Sequence, residues 1–246
     1  MIIISKRLIM KLKFTMTAVI SLAASVFPLM LVAQSQTIDY SKGQVLEDAL
    51  SDTVAFALPE FVDGKIFFED FSSSSARLNI SNIDQCVKFI DTSGDTLSLV
   101  KENEVKYVVA ANKTFYKTQF GYAQVLRFEG DCSFCFVKDV IVEQLQAMTS
   151  YGRLPATSTA KTVNALPDMG GTMNTSNVGK YMELEYDMTV RPVLVKGNKI
   201  MLSSKKNFMK VFPEKKDLIK RLADEMKTDF SDVRSAYEFF NAITAK

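Results

Sequence analysis

"GDCSFCFVKD", residues 130–139, decides the fold, because it sits between a turn and a long apolar run and its backbone can be read in two ways. As a strand, Cys132 and Cys135 stand about 10 Å apart and point to opposite faces, so they cannot be bridged. As the start of a helix, the same C-x-x-C spacing brings two thiols together and creates a redox pair. The Phe and Val content of "CSFCFVKDVIV" and the preceding Gly130-Asp131 turn favour the strand. Phe134, Val137, Ile141, Leu145 and Met148 also fit one helical face, which keeps the second reading open.

Working outward from this motif, Gly64 to about Met148 reads as some eight short strands with turn signals every 8 to 12 residues. "SARLNI" alternates Ala76, Leu78 and Ile80 with Arg77 and Asn79. "EVKYVVA" places Val105, Tyr107 and Val109 on one face. The serines at 72–75 suit a hairpin turn. After residue 148 the pattern stops, and 149–179 is expected to be a long flexible loop, rich in Ser, Thr, Gly and Asn. Alternation resumes in "YMELEYDMTV", and "RPVLVKGNKIMLSS" reads as a hairpin turning at Gly197-Asn198, with Pro192 at a strand start or edge.

The last forty residues change period. Pro213 suits the first position of a helix carrying Leu218, Ile219, Leu222 and Met226. A second helix, with Ser231 as N-cap, carries Phe230, Val233, Tyr237 and Phe240. The expected fold is therefore mainly β with C-terminal helices (α+β): an antiparallel meander forming a sandwich or barrel, closed by two short amphipathic helices. Its β-rich domain spans 34–204, and the helical segment 205–246 packs on the sheet.

The N-terminus reads as an address. Lys6, Arg7, Lys11 and Lys13 precede an apolar run from Phe14 to Val32, the pattern of a signal peptide, with cleavage expected after Ala33. Removing residues 1–33 turns a formal charge of +2 into one near −2. A near-neutral mature chain lacks the basic footprint of a nucleic-acid binder. No membrane span is expected after cleavage, and the location implied is periplasmic or secreted.

The chain has no histidine. That removes Ser-His-Asp and Cys-His catalysis and histidine-ligated zinc, and no metal or other cofactor is expected. Glu183, Glu185 and Asp187 are the candidate catalytic carboxylates, since alternate residues on one strand face lie about 6.6 Å apart, within the range used by glycosidase pairs. The competing reading makes them the wet face of an outer strand. Three cysteines in an exported chain leave at least one thiol unpaired, and the disulfide candidates are Cys86 with Cys132 or Cys135. Tyr116, Phe120 and Tyr122, with Phe115, cluster around a turn and are the candidate ligand-binding rim. "KKNFMKVFPEKKDLIKR" carries seven basic residues against Glu214 and Asp217, the pattern of a solvated helix face or of a surface for anionic lipid or an acidic partner.

Three segments carry a resemblance: "FVDGKIFFEDFSSSSARLNIS" (61–81), "FIDTSGDTLSLVKENEVKYVVAANKTFY" (89–116) and "KKNFMKVFPEKKDLIKRLADEMKTDFSDV" (205–233). Across roughly 58–148 and 180–242 the chain resembles a group of exported proteins of unknown function common in Bacteroidota. These share a signal peptide, a strand-rich middle and a lysine-rich helical segment after Phe-Pro. The resemblance implies a Gram-negative envelope location and transfers no functional residue; the C-x-x-C is not part of the shared pattern. The function expected is a non-catalytic binding or interaction module with an envelope protein or glycan as partner. The alternative is a carboxylate-dependent glycan hydrolase of the envelope.

Overall fold

A computed structural model describes residues 36–41, 46–147, 161–162 and 181–245. The expected signal segment lies outside these residues, as does the expected 149–179 loop except for Lys161–Thr162. In chain order the elements are β1 Gln36–Ser41, single-turn helices α1 Leu46–Ala49 and α2 Asp52–Ala55, then β2 Val62–Phe68, β3 Ser73–Ile80, β4 Val87–Ile90 and β5 Thr96–Ser98. After these come β6 Val105–Ala110, β7 Lys113–Thr118, β8 Gly121–Glu129, β9 Cys132–Ala147, β10 Lys161–Thr162, β11 Tyr181–Lys196 and β12 Lys199–Leu202. Helices α3 Lys205–Val211, α4 Lys216–Glu225 and α5 Val233–Thr244 complete the chain. No helix among the described residues is long and apolar enough to cross a membrane.

All twelve strands belong to one antiparallel sheet, ordered β1-β11-β9-β8-β7-β6-β2-β3-β4-β5, with β10 beside β9 and β12 beside β11. Eight strands, β2 to β9, fill the stretch where the turn spacing calls for about eight. They run as two meanders joined where β6 pairs with β2. The pairing path ends at β1 and β5, so the sheet is open and does not close into a barrel.

The Cys132 segment is strand, and it is the backbone of the molecule. β9 and β11 are each 16 residues long and pair along nearly their whole length. Two stretches that read as separate strands, "YMELEYDMTV" and "RPVLVK", are one strand, with Pro192 inside it rather than at its start. Proline is tolerated there because residue 192 turns its carbonyl, and hence its missing N–H, away from β9; that carbonyl accepts from the Ser203 amide at 2.9 Å, just past the end of β12. The β11–β12 hairpin turns at Gly197, whose φ of 55° suits glycine.

Alternation in β6 is interrupted by a bulge opposite Phe67/Phe68. Val105 therefore joins Val108 and Ala110 in the core, leaving Tyr107 and Val109 on the other face. Asn79, placed by alternation opposite the apolar face of β3, is fully buried as well. The segment before β2 covers it: its amide donates to the Leu58 and Glu60 carbonyls (2.9 and 3.1 Å), and its oxygen accepts from the Leu58 and Ile80 amides.

The C-terminal segment forms three helices, not two: α3 and α5 pack on the sheet, and α4 packs against α3 and α5. α3 begins at Lys205, capped by Ser204, whose hydroxyl accepts from the Asn207 amide. Pro213 opens a short 3-10 turn leading into α4. The N-cap of α5 is Asp232, which accepts from the Ser235 amide, in place of Ser231. Phe134 of β9 meets Tyr237 and Phe240 of α5 at 5.5 and 5.4 Å between ring centroids, and Phe208 of α3 meets Phe239 at 5.0 Å. The opposite face of β9 holds Cys135 and Val137 in a buried cluster with Ala123, Val193 and Val195.

Candidate functional site

Alternation along β9 sends Cys132 and Phe134 to the helix side and Ser133 and Cys135 to the other. Both cysteines are buried, Cys86 is half-buried just before β4, and all three thiols are free. Burial, aided by nearby carboxylates, pushes the Cys132 thiol up to about 12 and Cys86, which lies beside Asp84 and Glu102, up to about 11. Cys135 is raised too, for the same first reason. Thiols held protonated in this way are poor nucleophiles.

Register supplies the carboxylate candidates with neighbours that periodicity alone did not reveal. Glu183 pairs across with Asp39 of β1, Glu185 with Glu143 of β9, and Asp187 with Ile141. Asp187 is exposed and Glu185 half-buried. Nearby on the same face of β9 and β11, Asp139 accepts from Arg191 at 3.1 Å. Burial raises the Asp139 carboxyl, and Arg191 opposes that rise. Among the described residues no cluster of acidic or cysteine side chains is placed to hold a metal ion, and neither of the two surface hollows described is lined by Glu185 or Asp187.

The three candidate rim aromatics are divided between the faces of the sheet. Tyr122 points into the core, buried among Phe115, Val108 and Leu78. Tyr116 and Phe120 are half-buried on the other face, against Ala123, Cys135 and Val137. On that face Tyr116 has different companions. It lies opposite Tyr107, which lies opposite Phe67, so three aromatic side chains cross β7, β6 and β2 in one row. Phe67 and Tyr107 stack at 4.5 Å, Tyr107 and Tyr116 meet edge to face at 6.3 Å, and the Lys65 ammonium sits 5.2 Å over Phe67. All three rings are partly exposed, and neither tyrosine hydroxyl is engaged by another described residue. The signal for this row was present in "KIFF", "VKYVV" and "TFYK", but it becomes a site only through cross-strand register.

A polar network around Tyr122 had no sequence signature. Glu102 accepts from Lys117 at 3.0 Å, from the Val87 amide at 3.2 Å and from the Tyr122 hydroxyl. Lys117 also donates to the Gln85 carbonyl at 3.0 Å and lies 4.4 Å over the Tyr122 ring. Burial first, then Glu102, holds the Tyr122 hydroxyl far above its ordinary range. Beside it, Lys88 is buried between Asp84 and Glu47, at 2.5 and 3.3 Å, and also donates to Ser98 at 2.9 Å. Its charged members are paired with one another, and Lys88, Glu47 and Tyr122 are buried, which makes the network a brace for the 81–86 loop rather than a reaction centre.

The class of protein this defines is a strand-rich α+β chain: an open antiparallel sheet with helices on one side and an aromatic row on the other. No family model matches it, and no curated protein or solved structure does either.

Proposed function

We propose that this is an exported, non-catalytic binding module of a Gram-negative envelope that holds an envelope glycan against Phe67, Tyr107 and Tyr116, with Phe120 at the margin. The observation that carries this reading is the aromatic row. Partly exposed rings on a rigid sheet offer large contact area at little entropic cost, and free tyrosine hydroxyls give hydrogen bonds at the rim. A sugar presents the matching chemistry, C–H faces bordered by hydroxyls. Supporting it further, burial holds the thiols protonated, and the Tyr122 hydroxyl is buried against Glu102.

The test is co-sedimentation of the chain with insoluble cell-wall glycan. Binding that falls at least about tenfold in Tyr107→Ala/Tyr116→Ala supports the reading, in line with losing two aromatic contacts. Binding that survives the double substitution refutes it. A hydrolase is the second reading, favoured by the register that sets Asp39 opposite Glu183 and Glu143 opposite Glu185. It requires release of reducing sugar by the wild type and its loss in Glu183→Gln/Glu185→Gln.

A further inference from the structure

Two of the most exposed apolar side chains in the described residues lie on connecting segments joined by a backbone hydrogen bond. Phe71, 88% exposed, is at the tip of the β2–β3 turn, and Val100, 96% exposed, is in the turn after β5. The turns are tied: the Glu69 amide donates to the Glu104 carbonyl at 2.8 Å, and Lys101, next to Val100, pairs with Glu104 at 3.1 Å. Lys106 lies 5.2 Å over the Phe71 ring. Phe71 holds a φ of 66°, a left-handed conformation that non-glycine residues rarely adopt. A strained backbone that points a phenyl ring into solvent is a feature folding alone does not require.

Two arguments select what this tip meets. A stable protein interface needs on the order of 1,000 Å² of complementary surface, which two convex turn tips do not provide. Around them Glu69, Asp70 and Glu104 offset Lys101 and Lys106, so there is no strong charge to attract an acidic or a basic partner. What remains is the apolar term, acting through isolated convex side chains. A fluid lipid interface closes around such side chains without a matching pocket, while lysines extend their amines to the headgroups. We infer that Phe71 and Val100 form an interfacial anchor that inserts into the zwitterionic phospholipid surface of a bilayer.

The chain contains no tryptophan, so Phe71→Trp and Val100→Trp in the full chain report on each tip alone, whatever other segments do. With phosphatidylethanolamine/phosphatidylcholine vesicles, both emissions shift to the blue and are quenched by brominated acyl chains. Phe71→Ser placed in the Val100→Trp chain lowers the vesicle concentration dependence by roughly tenfold, the loss expected for one buried phenyl group. Emission unchanged by vesicles overturns the inference. So does a shift that appears without lipid as protein concentration rises, which identifies a second copy as the occupant. Quenching that needs anionic lipid and disappears in high salt overturns it as well.

Discussion

The side-chain oxygen of Gln85 occupies the space beside Gly121 that any larger residue would need: a Cβ there would stand 2.2 Å from it. The same oxygen accepts from the Tyr122 amide at 2.9 Å, while the Gln85 amide group donates to the Asn82 and Lys138 carbonyls at 3.1 and 2.9 Å. One side chain thus fastens the 81–86 loop to β8 and to the edge of β9, where the Asn82 carbonyl also accepts from the Val140 amide.

Gly121→Ala is therefore expected to destabilise strongly. Its φ of 111° costs about 1–3 kcal/mol for an alanine, before the collision with Gln85 is counted. Gln85→Ala also destabilises, by leaving buried backbone groups unpaired, at about 1–3 kcal/mol. In urea unfolding the double substitution should cost clearly less than the two single losses combined, since the collision is gone. Strict additivity would mean that the two residues do not share this space.

Lys88 lies nearly out of solvent between Glu47 and Asp84. Burial pulls its pKa down, but Asp84 and Glu47 outweigh that and raise it. Lys88→Met leaves two carboxylates without their cation, and a loss of about 3–5 kcal/mol is expected from breaking a buried pair on one side. Lys88→Met/Glu47→Gln recovers part of it. The raised pKa fixes the sign of the pH effect. The contribution of Lys88 is fully present below its unfolded value of about 10.4 and is lost as pH rises through the folded value. Unfolding followed above pH 10 should show a steeper decline in the wild type than in Lys88→Met, which keeps only the part due to the thiols.

The thiols titrate in the same direction but begin lower. Cysteines in the unfolded chain ionise near pH 8.5, whereas Cys132 stays protonated in the fold up to about 12. Stability from each raised thiol is complete below about pH 8.5 and falls as pH increases, by up to about 1.4 kcal/mol per pH unit per buried group. Cys132→Ala and Cys135→Ala should each flatten the decline between pH 8.5 and 10. Thiol titration with a coloured disulfide reagent should find Cys132 and Cys135 silent in the native chain and three reactive groups in denaturant. A mass-mapped bridge between Cys132 and Cys135 would contradict the strand.

Local chemistry is what could be read without coordinates. Turn residues such as Gly130 and Gly197, the alternation of β3 and β11, and the change of period near residue 205 all marked real elements. Three kinds of information were not local. The bulge that swaps Val105 to the inside depends on β2, a strand some forty residues earlier. Asn79 looked solvent-facing because nothing in "SARLNI" announces that residues 58–60 fold over it. The aromatic rim was sought among neighbours in sequence, Tyr116, Phe120 and Tyr122, but adjacent strand residues face opposite ways, and the ring that joins Tyr116 is Tyr107. Cross-strand register decides which residues meet, and a single sequence encodes it only through the whole core.

Phe134 tests whether the C-terminal helices are part of the sheet's core or an attachment to it. Its ring is fully buried and contacts both Tyr237 and Phe240, while its strand neighbour Leu194 is buried on the same side. If β9 and α5 fold as one unit, Phe134→Ala removes a core ring and leaves a cavity, and the expected loss is about 3–5 kcal/mol in a single unfolding transition. Phe240→Ala should fall in the same range, with the pair less than additive because the two rings share one contact. Phe71→Ser, by contrast, removes an exposed ring and should leave stability within about 0.5 kcal/mol of the wild type. Far-UV and near-UV signals that separate into two transitions in Phe134→Ala would show that the helices dock on a sheet able to stand without them.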